Sequence, residues 1–468
     1  MKLALAVPPA VRWIARTLEQ AGFETWTVGG AVRDAFRGAE SREWDLTTRA
    51  TPAEVQALFR RTVPVGVAHG TVGVLDRGGT LYEVTTFRRD VETSGRHAVV
   101  AFSDSLDEDL ARRDFTINAV AWHPLDGRLR DPFDGKADLE RGILRTVGDP
   151  AARFREDYLR ILRALRFAGR LGLRVEERTW RALTGAVERT RLLSPERIRE
   201  EMERILGGDT PPSRALGLYA AAGVLRVLYP ELASLVGLPR AAPGDWYSHS
   251  LRAVDLLPVR RPGHVRRRWV ALLQAVGEPE EPGGGEEGAL GPAERTRRRC
   301  TVLLERLRAS NAMVRGTAHR SAWVLHPPAG DATAGELRRW LARTGRDALP
   351  DLCRLWIASA RAAAMHRDPP GESGGAWPPA PELAALIRRL RSIAHSGVPL
   401  TVRELAFSGR DLIGLGLVPG PAFGDLLGHL LDRTLGDPSL NEPAALEREA
   451  RLWIRARGRN ARQSGAGG

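Results

Sequence analysis

The feature that most constrains this chain is a change of hydrophobic period near residue 150. Before about residue 145, strand-like and helix-like stretches alternate. TVGGAV (27–32), HGTVGVLD (69–76) and TLYEVTTF (80–87) are rich in β-branched residues and bounded by Gly or Asp, so they read as strands. TPAEVQALFRR (51–61) reads as a helix with Thr51 at the N-cap and Pro52 in its first turn. From about 150 onward the spacing is almost wholly helical. FREDYLRILRALRFAGRLG (154–172) sets Leu159, Ile161, Leu162, Leu165 and Phe167 in one broad apolar stripe with arginines opposite. The expected architecture is therefore α+β: a mixed head, then a long helical body in at least two pieces. Two Gly-, Pro- and Glu-rich stretches, 278–292 and 367–382, read as linkers, and 456–468 as a disordered tail.

The formal net charge is +13, which favours a polyanionic partner such as nucleic acid over a neutral one. Nearly all the cations are arginine, since lysine stands only at Lys2 and Lys136. No run of about 18 apolar residues suggests a membrane span. The N-terminal stretch turns amphipathic at once and reads as a helix and strand rather than a signal peptide. Cys300 and Cys353 match no metal spacing, which fits two structural thiols in a reducing cytoplasm.

Four groups of residues carry chemistry. GGAVRD (29–34) follows an apolar strand and opens a helix; Gly29 and Gly30 let a phosphate approach the backbone and Arg33 can reach it, although a plain turn explains the glycines equally well. In REWDLTT (42–48), Glu43 and Asp45 are two apart, so on a strand both carboxylates share a face and Trp44 points to the core. Two hard oxygen ligands suit Mg²⁺, which is held by carboxylates, phosphates and water, although an exposed acidic strand edge is the simpler reading of the pair taken alone. Glu83, flanked by Tyr82 and Val84, is a third acid aimed away from the core; three such acids repel unless cations sit between them. In DLARRDFTINA (109–119), Arg112, Arg113 and Asp114 with Asn118 can bind phosphate and ribose together, or form a surface ion cluster.

The fourth group is EDYLRILRALRF (156–167). Asp157 and Arg160, three apart, share a helix face, and Arg163 and Arg166 extend it. Asp accepts hydrogen bonds and Arg donates them. Cytosine and adenine each present an amino donor beside a ring-nitrogen acceptor, whereas uracil and guanine present the reverse. An Asp–Arg pair on a rigid helix thus admits C and A and rejects U and G by leaving polar groups unpaired. A surface ion pair is the simpler alternative.

In this order, VGGAVRD, REWDLTT, GVAHGTVGV, YEVTTFR, EDLARRDFTINA, DPFDGKADLERGILRTVGDP and FREDYLRILRALRF resemble the class II tRNA nucleotidyltransferases, or CCA-adding enzymes, within the family that also holds bacterial poly(A) polymerases. The likeness is dense over about 25–185 and returns over about 399–450, in LTVRELAFSGRDLIGLGLVPGP and Asn441. The resemblance implies a polymerase-β-like head (1–145), a helical neck with the base-reading helix (146–210), a body (211–330) and a tRNA-binding tail (331–468). It implies that Gly29, Gly30 and Arg33 grip the triphosphate, that Glu43 and Asp45 hold Mg²⁺ with Glu83 as third acid, and that Arg113 and Asp114 contact phosphate and ribose. Asp157 and Arg160 would read the base beside Arg163 and Arg166. The implied partners are the tRNA 3′ end, CTP and ATP, with no membrane; the oligomeric state is left open. Narrower alternatives are a C-only or A-only enzyme, a poly(A) polymerase, or an RNA-binding relative with impaired catalysis.

Three departures stand out. The family usually has Asp where this chain has Glu43. RDVETSGRHAVVAF (89–102) keeps the length of the loop associated with switching from C to A but not its usual character. WYSHSLRAVDLLP (246–258) and RRRWVALLQAVGEP (266–279) resemble an HD phosphohydrolase whose metal-binding His-Asp pair has become Gln274-Ala275, leaving His249 and Asp255; a folded helical region without hydrolase activity is expected.

Overall fold

The computed structural model describes residues 5–39, 43–94, 97–240, 244–278, 290–365 and 378–464, without the side chains of 68, 90–100 and 457–464. The chain divides into two compact units, 1–230 and 231–468.

The first unit opens with α1 (Pro9–Gln20), β1 (Thr25–Val28), α2 (Gly30–Phe36), β2 (Asp45–Thr48) and α3 (Pro52–Leu58). Strand β1 ends at Val28, so the run expected to be strand to residue 32 turns into helix at Gly30. Helix α3 starts as expected: Thr51 and Glu54 cap each other's backbone, with Pro52 in the first turn. Then come β3 (Thr62–Gly66), β4 (Thr71–Leu75) and β5 (Leu81–Thr86), the hairpin of β6 (Arg88–Ser94) and β7 (His97–Phe102), α4 (Leu106–Ala111), β8 (Ala121–Trp122) and β9 (Leu129–Arg130). The loop singled out at 89–102 is therefore mostly antiparallel hairpin.

Seven strands form one sheet in the order β3-β4-β5-β2-β1-β8-β9. Within it, β2 and β5 run parallel, with Leu46 opposite Val84. The period-2 alternation decides which face is buried. Trp44, Leu46, Val72, Val74, Tyr82 and Val84 pack in one core with α1 residues Val11, Ile14 and Leu18. On the other face, Trp26 and Val28 pack against Phe87, Leu106 and Leu110. The rest of that face, around Asp45 and Glu83, is open and lines a cleft.

The helical part of this unit contains α5 (Gly135–Glu140), α6 (Pro150–Glu156), α7 (Leu159–Leu171), α8 (Glu177–Ala186), α9 (Pro195–Gly207) and α10 (Pro212–Ala221). The stretch expected to form one helix over 154–172 is broken at Asp157, whose backbone is extended (φ −154°, ψ 107°). The cause is local: the Asp157 carboxylate accepts from the Leu159 N–H at 3.0 Å and so starts α7 afresh. Helices α7 and α10 meet at Gly169, where an added Cβ would lie 2.4 Å from the Ala215 nitrogen, so only glycine fits that crossing.

The second unit is helical among its described residues. Trp323, Trp340 and Trp356 form a chain of ring contacts at 6.1 and 5.4 Å. Buried Asp351 accepts from Arg266, Arg267 and Arg320. Asn441 Oδ1 accepts from the Ala406 N–H, tying together the two parts of the C-terminal likeness. In the HD-like region His249 is fully buried on the helix Trp246–Asp255, and Gln274 accepts from the Ser359 hydroxyl. Cys300 and Cys353 are buried free thiols. The expected linkers fall largely outside the described residues, although helices already open at Pro292 and Ala380. The tail expected to be disordered from 456 is instead helical in backbone to Ser464, as part of Pro443–Ser464. Among the described residues no helix is long and apolar enough to cross a membrane.

Candidate active site

All twelve candidate residues line a single cleft in the first unit, with a volume of about 1190 Å³. Eleven arginines and seven acids line it, so the walls carry a cationic excess suited to a triphosphate.

The sheet supplies the acids. Glu43 lies just ahead of β2 rather than within it, Trp44 is buried at 5 % exposure, and Asp45 and Glu83 both face the cleft. The parallel register brings Asp45 beside Glu83. Desolvation in the cleft, then the charge of Glu83 and more weakly that of Glu43, push the Asp45 carboxyl up to about 6, against the pull of Arg113. Within a cleft that is otherwise rich in arginine, these acids form a local acidic patch where a cation would be favoured. No three His, Cys, Asp or Glu among the described residues are grouped tightly enough to cage a metal by themselves. That donor set fits Mg²⁺, which takes one or two carboxylates and completes its shell with substrate phosphate and water.

The turn from β1 into α2 supplies the phosphate approach. Gly29 has φ +73°, a conformation that favours glycine. A Cβ there would lie 3.4 Å from Arg113 Nη1 and 3.9 Å from Asp45 Oδ2, so the backbone comes close to both a cation and an acid of the site. Arg33 is buried at 4 % exposure; it donates to Asn118 Oδ1 at 2.7 Å and to Asp34 at 2.8 Å. Arg113 donates to Asp109 Oδ2 at 3.0 Å, and Arg112 grips Asp109 Oδ1 through two nitrogens. Asp109 is wholly buried; burial opposes its charge, but Arg113 and Arg112 overcome this and hold it below the usual carboxylate range.

Helix α7, the break before it and the turn after α4 supply the rest. Asp114 accepts from the Phe115 N–H, from Asn118 and from Arg163. It is therefore held in the cleft wall together with Arg163 and Asn118. Arg166 donates to the buried Glu201 on α9 at 2.7 Å. The Phe167 ring lies under three guanidinium groups, those of Arg33 and Arg163 at 5.3 Å and Arg166 at 4.3 Å. Asp157 and Arg160 are not paired with each other. Arg160 donates to Glu156, and to the carbonyls of Arg153 at 3.1 Å and Arg112 at 3.3 Å; Asp157 accepts from Arg197 Nη2 at 2.7 Å. Donor and acceptor are thus held separately, each by its own partner.

Sequence reasoning missed Asp109, Glu156, Phe167, Arg197 and Glu201. The first two had a signal, being spaced three or four residues from the arginines they hold. Arg197 and Glu201 come from α9, some 40 and 35 residues from their partners, and left none.

The poly A polymerase head domain matches residues 25–145, and the probable RNA and SrmB-binding site of polymerase A matches 172–235. The chain is 34% identical to the CCA-adding enzyme of Levilactobacillus brevis over 93% of its own length and 95% of that enzyme's. It is 33% identical to that of Limosilactobacillus fermentum over 95% and 97%. The fold matches the crystal structure of the Bacillus stearothermophilus CCA-adding enzyme in complex with CTP at a TM-score of 0.68 and 30% identity, covering 98% of this chain and all of that one. With likeness running almost end to end over a cleft built from these motifs, the chain belongs to the family of CCA-adding enzymes.

Proposed function

We infer that this protein is a template-independent tRNA nucleotidyltransferase that adds C and A to the tRNA 3′ end from CTP and ATP. The observation that carries this is the meeting, in one cationic cleft, of the acids at the Asp45–Glu83 strand pair with the separately held donor and acceptor at Arg160 and Asp157. Relatives solved with CTP, with ATP and with tRNA fit the same reading.

In the reaction the tRNA 3′ oxygen attacks the α-phosphorus, the bond to the β-phosphate oxygen breaks, and pyrophosphate leaves. The Gly29–Gly30 turn, Arg33 and Arg113 bind the triphosphate. Glu43 and Asp45 hold Mg²⁺, which supplies charge neutralisation on the transferred phosphate, and Glu83 completes the acidic face. Asp157 accepts from the amino group of the base and Arg160 donates to its ring nitrogen, with Arg163 and Arg166 alongside. The 1–145 segment serves as catalytic head, 146–210 as neck, 211–330 as body and 331–468 as tRNA-holding tail, in a cytoplasmic enzyme. Incorporation of labelled CTP and ATP on tRNAs ending before the first C, after C and after CC tests this. Extension that stops at CCA is expected; no incorporation at any Mg²⁺ concentration, or an open-ended A tail, overturns it.

A further inference from the structure

We propose that Arg197 is a positioning residue for nucleotide selection, holding the Asp157 carboxylate in its base-reading orientation. Asp157 does not sit inside a helix, where packing would restrict its rotamer. It occupies the extended break between α6 and α7, so its orientation depends on what its two oxygens bind. Oδ1 accepts from the Leu159 N–H at 3.0 Å, a local contact that helps set the start of α7. Oδ2 accepts from Arg197 Nη2 at 2.7 Å, across from α9. A carboxylate offers about four acceptor positions, so two remain for an incoming base. Both side chains are about 30% exposed, at 28% and 32%, so the pair borders the cleft rather than lying in the core.

The two contacts do different jobs. The Leu159 contact is made within the turn itself and leaves the carboxylate free to swing about it. The Arg197 contact fixes the second oxygen against a separate helix and so removes that freedom. Selection between cytosine and uracil depends on meeting a donor with an acceptor at a fixed place, and a swinging carboxylate tolerates the wrong polarity better. Arg160 needs no such help from α9, since Glu156 on the preceding turn already holds it.

This inference rests on the reading of Asp157 as a base contact, and the test separates the two. CTP and UTP are compared as substrates on tRNA ending before the first C, and ATP and GTP on tRNA ending in CC, for the parent, Arg197→Met, Arg197→Lys and Asp157→Asn. One lost charge-assisted hydrogen bond corresponds to about tenfold, so Arg197→Met is expected to raise KM for CTP and to narrow CTP-over-UTP discrimination each by on the order of tenfold. Its kcat changes less than its KM, and Arg197→Lys, which keeps a donor of the same charge, recovers most of the discrimination. If Asp157→Asn loses discrimination while Arg197→Met keeps the parent's, the positioning role is wrong and Arg197 only packs α9. If neither variant shifts discrimination, the base-reading role of Asp157 fails and the proposal fails with it. Should Arg197→Met not fold, Arg197→Lys decides alone: its shorter, single-point contact should leave a measurable fraction of the loss, and discrimination identical to the parent's counts against the proposal.

Discussion

Asp45 stands beside Glu83 across the only parallel pairing described in the seven-stranded sheet, and the pull of Arg113 on Asp45 does not offset its burial and the charge of Glu83. With its carboxyl pushed up to about 6, Asp45 holds a proton in the native state that the unfolded chain, with a value near 4, has already lost. Between about pH 4 and 6 the native state therefore binds more protons, and this group's contribution to stability falls as pH rises through that window and stays level above it. Asp45→Asn removes the penalty. In the absence of divalent ions, the Tm gained by Asp45→Asn over the parent is expected to grow between pH 5 and 7, and to shrink when Mg²⁺ is added. In activity, the acidic limb of kcat/KM should move to lower pH as Mg²⁺ is raised, because the ion competes with the proton. Thermal unfolding and pH–rate profiles at two Mg²⁺ concentrations check this; a Tm difference flat across pH would sink the account of the Asp45 carboxyl.

Gly29 is the second place where structure and activity are joined. Its φ of +73° is costly for other residues, and a Cβ would press toward Arg113 at 3.4 Å. Gly29→Ala is expected to cost about 1–3 kcal/mol in unfolding free energy. It should also raise KM for CTP and ATP alike, because Arg113 is displaced for both. Urea unfolding with parallel steady-state kinetics measures the two effects. A stability loss with unchanged KM would separate the turn from nucleotide binding.

How much of this was legible beforehand depends on distance along the chain. The alternation of Glu43, Trp44 and Asp45 and that of Tyr82, Glu83 and Val84 were readable because the period of a strand is two, and burial follows it residue by residue. The break at Asp157 was not, because the apolar stripe of 154–172 runs through it without a change of phase. What decides there is one side chain capping the next turn, a contest between two local hydrogen-bond patterns that periodicity does not register. The partners of Asp114 were hidden for a related reason: an Asp after two arginines shows no sign of its contacts, and only the tertiary structure shows Arg163 and Asn118 holding it.

Asp109 tests whether the arginine wall is pre-built. The carboxylate is wholly buried and is shared by Arg112 and Arg113, which keep it ionised. Asp109→Asn leaves two partly buried guanidinium groups without their counter-charge, a loss on the order of 3–5 kcal/mol for a broken buried pair. Beyond stability, Arg113 loses its anchor, so KM for both nucleotides is expected to rise while CTP-over-UTP discrimination, which depends on Asp157 and Arg160, holds. A variant that binds CTP as tightly as the parent would show that Arg113 needs no anchor.

Glu43 is the remaining question, since the family usually places the shorter Asp there. The structure locates it two residues ahead of β2, outside the strand itself. A ligand outside the strand can absorb one extra methylene by a smaller backbone adjustment than one at Asp45, inside β2. Glu43→Asp is therefore expected to change kcat by less than about tenfold, and Asp45→Glu to lower it by on the order of 10²-fold, the loss that follows from misplacing a reacting group by about 1 Å. Glu43→Gln, which keeps the length and removes a charged ligand, should also fall by on the order of 10²-fold and be partly restored by Mn²⁺ or higher Mg²⁺. Single-turnover CTP addition across a metal titration distinguishes these outcomes. A large gain in turnover for Glu43→Asp would mean that Glu43 is an impairment that the segment before β2 does not absorb.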